Sequence, residues 1–161
     1  MGRPASPIVV RTRHAFLSPA DRVWPLLCNS KMDRRSALLF RLGVPQPLEC
    51  RLPDGRGAVG NERECVSDQG VVRQKILIWE PERRLVFRME KSTIDSAKSD
   101  SEIEDAFLLV PDGTGVTVFR TTTAGIVGRF RFAKKFALGI ALKHVHRYVF
   151  RNWDRLAAEN H

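Results

Sequence analysis

A histidine changes charge near neutral pH, so an imidazole in an apolar stretch is the first place to look for proton transfer. His14 stands in "IVVRTRHAFL", where strand alternation puts Ile8, Val10, Thr12, His14 and Phe16 on one face. Facing inward, it could act as general acid or base. Otherwise it is a core histidine satisfied by its neighbours, or an outer-face one if the register slips by one residue. His144 and His146 stand two apart on a helical stretch, hence on different faces, and not at the i, i+4 spacing of a metal-binding pair. With no H-E-x-x-H and no Cys/His cluster, neither metal nor cofactor is expected.

"SEIEDAF" supplies Glu102, Glu104 and Asp105. Glu102 and Glu104 share a strand face. Inward, one would acquire a raised pKa among greasy neighbours; outward, they would pair with Arg or Lys across the sheet. Arg73, Arg88 and Arg120 pose the same choice, between anchoring a ligand carboxylate and serving as surface cations. Thr121 to Thr123 form a hydroxyl run, but no G-x-S-x-G elbow or triad accompanies it. "GRGAVG", Gly55 to Gly60, follows no Rossmann-type strand and lacks the Lys-Ser/Thr of a phosphate loop, so its glycines serve a turn.

These residues are carried by a readable series of elements. After the first strand, "SPADRVWPLLCN" changes period: Ser18 as N-cap and Pro19 at the first helical position predict a short helix that Pro25 limits to a turn or two. "MDRRSALLFRL" predicts a second, capped by Asp33 and stopped at Gly43. From residue 45 the texture is beta. Six segments are separated by turn residues at Asp54-Gly55, Asp68-Gln69-Gly70, Pro81-Glu82, a polar stretch near Ser96 to Ser99, and Asp112-Gly113, as in consecutive antiparallel hairpins. The count is seven strands, two short helices after strand one, and one long helix over residues 128–160. A curved antiparallel sheet must cover one face, and only the long helix can cover it. The expectation is an α+β fold, a bent sheet gripping a helix, with a hollow where the two part.

The long helix buries Phe130, Leu138, Ala141, Leu142, Val145, Val149 and Leu156 on one arc, yet Phe132, Phe136, Ile140 and Phe150 fall on the side that carries Lys143, Arg147, Arg151 and Asp154. Three explanations compete: a loop start or packing on the short helices, a homodimer contact, or an interfacial anchor with Arg129, Arg131, Lys134 and Lys135 on anionic headgroups. Lys plus Arg number 27 against 18 Asp plus Glu, a formal net charge of +9 that favours anionic partners. Because the basic residues are scattered and no zinc finger, helix-turn-helix or RNP-like phrase occurs, sequence-specific nucleic-acid binding is not expected. At 161 residues, 43% hydrophobic and 28% charged, the chain reads as one globular domain, residues 1–161.

No run is long and apolar enough for a membrane span, and "MGRPASPIVV" lacks a secretory signal's apolar core, so a cytoplasmic protein is expected, with peripheral membrane contact as the variant. "MGRPAS" fits the loose myristoylation pattern only by its Gly2 and Ser6. Cys28, Cys50 and Cys65 read as reduced thiols, although Cys50 and Cys65 flank a turn-rich segment and could meet across a hairpin.

"FLSPADRVWPLL", "ILIWEPERRLVF" and "FLLVPDGTGVTV" resemble, in order, three characteristic phrases of the SRPBCC superfamily, the START-like or birch-pollen-allergen-like helix-grip domains. The resemblance covers essentially the whole chain and is nearest to the bacterial polyketide cyclase/dehydrase-like group. It implies a helix-grip fold: a seven-stranded curved antiparallel sheet around the C-terminal helix. The fold is a shared container, whose members carry lipids, bind hormones, cyclise polyketides or stimulate chaperones.

The leading expectation is therefore binding or transport of a lipid or polyketide-like molecule. Expected liners are Val10, Thr12, His14, Phe16, Leu109, Val118, Ala141, Leu142, Val145 and Val149, with Trp79 and Trp153 capping an opening or simply packing. The alternatives are a cyclase or dehydratase in which His14 or an inward carboxylate moves a proton, and a chaperone-activator-like interaction module.

Overall fold

The computed structural model describes residues 7–32, 38–52, 57–94, 102–125 and 131–159. In chain order the elements are β1 (Ile8–Phe16), α1 (Ala20–Cys28), β2 (Ser30–Lys31), α2 (Leu38–Arg41), β3 (Pro47–Arg51), β4 (Glu62–Ser67), β5 (Gly70–Glu80), β6 (Arg84–Ser92), β7 (Ile103–Asp112), β8 (Gly115–Ala124) and α3 (Arg131–Glu159). All strands join one antiparallel sheet in the order β1-β8-β7-β6-β5-β4-β3-β2. The seven expected strands are present, and the two-residue β2 extends the far edge beside β3.

The turn signals act where the backbone needs them. Gly113, between β7 and β8, has φ 62°, a left-handed conformation that glycine adopts without a Cβ clash. Glu82, between β5 and β6, sits at φ 61° despite its side chain. Gly57 serves close approach instead: a Cβ there would overlap the Trp79 ring. Trp79 packs edge-on against Trp24 at 5.2 Å between ring centres.

Two helix expectations are corrected. Pro19, extended at ψ 167°, is the residue preceding α1, and its carbonyl accepts from the N–H groups of Arg22 and Val23, so Ser18 is not the cap. Pro25 lies inside α1 without ending it, and Val23, Trp24, Leu26 and Leu27 stay buried. Asp33 and the start expected for α2 lie outside the described residues, as do Asp54-Gly55 and Ser96 to Ser99; α2 ends before Gly43, at φ 102°.

α3 runs unbroken through Gly139 and crosses the concave face of the sheet, with its densest contacts on β1. Phe150 is buried against Phe16 and Trp153 and does not belong to the exposed side. Phe132 and Phe136 remain 79% and 74% exposed, and Ile140 48%, on a helix that is already regular at Arg131, which removes a loop start there as their explanation. None of the described helices is long and apolar enough to cross a membrane.

Candidate functional site

The sheet and α3 meet tightly at one side and part at the other. Over β1 they close: Phe16, Leu109 and Val118 are buried in one core with residues of α1 and α3, and Val10 is buried as well. Toward β3 to β7 they separate, leaving a cavity of about 210 Å³ lined from β3, β4, β5, β6, β7, β8 and α3. Val145, Val149 and Trp153 form its helical wall, while Met32, Met89 and Ile103 add apolar surface.

The sheet side carries the cavity's charged groups among apolar neighbours, and strand pairing builds it. Asp105 on β7 lies directly across from Thr122 on β8, and Phe107 across from Arg120. Arg120 therefore reaches diagonally to Asp105, with Nε donating to Oδ1 at 3.0 Å and Nη2 to Oδ2 at 2.6 Å, a two-pronged pair. Thr122 Oγ1 donates to Asp105 Oδ1 at 2.8 Å. Burial alone would raise the Asp105 carboxyl, but the charge and hydrogen bonds of Arg120, with Thr122, hold it below the usual carboxylate range.

His146 extends this chain into α3. It is fully buried, and Thr12 Oγ1 meets its Nδ1 at 2.7 Å while Thr122 Oγ1 meets its Nε2 at 2.7 Å. The ionised Asp105 accepts only, so the single Thr122 O–H is spent on it, and His146 must donate from Nε2 to Thr122. Nδ1 of the neutral ring then accepts from Thr12. Burial pushes the imidazole down to about 3, Arg120 adds to the effect and Asp105 opposes it. The chain Thr12, His146, Thr122, Asp105, Arg120 ties β1, α3, β8 and β7 together with one tautomer throughout.

A second cation shares the cavity. Arg63 on β4 is 4% exposed; its Nε and Nη2 donate to Gln74 Oε1 at 3.1 and 2.9 Å, its Nη1 donates to the Leu27 carbonyl, and its plane lies 3.7 Å over the Phe87 ring. Burial lowers it to about 10, so it is charged at neutral pH. Cys50 and Cys65, directly opposite on β3 and β4, form a disulfide in the same wall. The hairpin register that brings their Cα atoms within 4.2 Å corrects the expectation of three reduced thiols. Cys28 remains free and buried, its thiol raised to about 11 by burial against the opposing charge of Arg63.

Of the liners expected from sequence, Val145 and Val149 border the cavity. Phe16, Leu109 and Val118 have inward parity but belong to the packed core with residues of α1 and α3, and Val10 is buried outside the cavity lining. Ala141 and Leu142 are half-buried on α3 away from this lining, and Thr12 is engaged with His146. His14 faces α3 rather than the hollow: its Nε2 lies 3.2 Å from Asp154 Oδ2, and its ring stacks on Phe150 at 5.6 Å. Glu104 pairs outward with Arg88 at 3.7 Å, Arg73 pairs with Glu64 at 3.3 Å, and Glu102 is exposed. Arg120 is the one inward member of the three flagged arginines. His144 packs beside Phe40, away from His146, and no cluster of three metal-ligating side chains occurs among the described residues.

Sequence reasoning passed over Arg63, Gln74 and Met89. Their half-polar strands look solvated, and the usable signal was parity: Arg63 with Cys65, Asp105 with Phe107, and Arg120 with Thr122 each share a face.

No family model matches the chain, and no curated protein matches it. Solved structures do match over nearly the whole length. Protein MLL2253 from Mesorhizobium loti superposes with a TM-score of 0.65 at 19% identity, covering 95% of this chain and 98% of that one. TTHA0849 from Thermus thermophilus gives 0.64 at 15% identity over 94% and 98%, and Ara h 8.0201 gives 0.64 at 10% over 96% and 99%. This is the START-like helix-grip fold. The cavity just described lies in the space between the sheet and the terminal helix of this fold.

Proposed function

We propose that this helix-grip protein binds and carries a small hydrophobic or amphipathic molecule, lipid-like or polyketide-like, in the cavity between the sheet and α3. The observation that carries the reading is the unfilled volume of about 210 Å³ with an apolar helical wall. Apolar ligand surface leaving water contributes about 25 cal/mol per Å², and the polar wall fixes orientation.

Binding is favoured over catalysis by the state of the ionisable groups. Arg63 stays charged at neutral pH, and Asp105 is held ionised, with both oxygens engaged by Arg120 and Thr122. A proton shuttle for aldol-type closure needs a group that titrates near neutrality beside the substrate. His146 is held neutral behind Thr122, and His14 is paired with Asp154 beside α3.

The test is native mass spectrometry of freshly purified protein, repeated with a library of medium-chain lipids and aromatic polyketides and followed by tryptophan fluorescence. A one-to-one adduct and a change in emission from Trp153 are expected. Absence of both for every compound would overturn the reading.

A further inference from the structure

The cavity's charges do not balance. Its wall holds two guanidinium groups, Arg63 and Arg120, and one carboxylate, Asp105. That carboxylate is committed to Arg120 through two hydrogen bonds and to Thr122 through a third. Arg63 hydrogen-bonds only neutral partners, the amide oxygen of Gln74 and the carbonyl of Leu27, and the Asp105 charge that favours its ionised form is shared with Arg120. Buried charges ordinarily find a counter-charge, because an unpaired one forfeits its hydration without compensation. Arg120 also keeps one donor in reserve, since its Nη1 is buried with no hydrogen-bond partner among the described residues. Buried polar groups in proteins are paired in more than nine cases in ten, so this unused N–H calls for an acceptor.

The two observations, one surplus positive charge and one open guanidinium donor, point to the same occupant. We infer that the cavity takes a singly charged amphiphile with a carboxylate head, which lies against the Arg120 and Arg63 wall while its apolar body packs on Met32, Met89, Val145, Val149 and Trp153. The inference rests on reading the hollow as a ligand cavity and adds the head group to it. Size limits the body: about 210 Å³ corresponds to roughly seven waters at their liquid volume of ~30 Å³ each, the scale of a medium-length chain. Charge limits the head, since a carboxylate cancels the surplus and a phosphate monoester, with about −1.5 to −2 at pH 7, exceeds it. Guanidinium is suited to such a head, because its fixed fork of donors matches a carboxylate.

The experiment is calorimetric titration of the wild-type protein with octanoate, octanol, octylamine and octyl phosphate at pH 7. Octanoate should bind at least tenfold more tightly than octanol, the usual size of one charge-assisted hydrogen bond, with octyl phosphate weaker than octanoate and octylamine weakest. The Arg63→Met variant, which leaves the Arg120–Asp105 pair intact, should shrink the octanoate-over-octanol preference at least tenfold. Equal binding of octanoate and octanol by the wild type would overturn the head-group inference and leave the cavity reading standing. Tighter binding of octyl phosphate would overturn the monoanion, and an undiminished octanoate preference in folded Arg63→Met would remove Arg63 from the site. No binding by any of the four would overturn both readings together. The wild-type series decides the matter whether or not the variant folds.

Discussion

Lowering the pH from 7 to 5 should weaken the native state by about 2 kcal/mol through His146 alone. The imidazole sits near 3 in the folded protein against an ordinary value of 6.5, so between those values the unfolded chain takes up a proton that the native state refuses. Stability from this group is complete above 6.5 and is lost as the pH falls through the window toward 3. At pH 5 the loss has run over 1.5 units, at about 1.36 kcal/mol each. Asp105 has the same sign but acts lower, since its carboxyl is held below an ordinary 3.8 and contributes nothing between pH 5 and 7. The assay is urea unfolding followed by tryptophan fluorescence at both pH values, for the wild type and for His146→Gln. Glutamine can still accept from Thr12 and donate to Thr122 but does not titrate. The wild type should lose about 2 kcal/mol more than the variant over the interval. Parallel losses in the two proteins would refute the buried neutral tautomer and the hydrogen-bond chain built on it.

Other outcomes follow from the same geometry. Thr122→Val removes a hydrogen bond to a carboxylate and one to His146, so urea unfolding at pH 7 should show a loss of about 2 to 4 kcal/mol. Reducing the Cys50–Cys65 disulfide releases a loop with a sequence separation of 15, which should lower unfolding stability by about 3 kcal/mol in matched oxidised and reduced samples. Val145→Trp should fill the cavity, leave the circular dichroism spectrum native and weaken octanoate binding at least tenfold in the same calorimetric titration. Phe136→Ser, at a 74% exposed position, should change unfolding free energy by no more than about 0.5 kcal/mol.

The fold was legible because its signals are local. Asp112-Gly113 and Pro81-Glu82 turn the chain between strands, Gly43 follows α2, and the alternation in β1 gives the observed burial of Val10 and Phe16. The site was legible only in parity. Val118 and Arg120 share a face of β8, as do Leu109 and Phe107 of β7, but which end of each strand borders the hollow depends on where α1 and α3 fill the concavity. That is a long-range packing outcome with no local trace. His14 illustrates it, since the sequence left its inward and outward faces both open and its real neighbours, Phe150 and Asp154, come from a helix more than a hundred residues away. Arg63 was hidden for a different reason. A buried arginine within "NEREC" looks like surface charge until the pairing with β5 delivers Gln74 beside it.

The most direct measurement of the central claim uses methyl-labelled methionine. The chain has three methionines, and two of them, Met32 and Met89, line the cavity. On adding octanoate, the methyl resonances of Met32 and Met89 should shift in a saturable, one-to-one manner. Saturable binding that leaves both lining methyls unmoved would contradict the account, because the ligand would then reside somewhere other than between the sheet and α3.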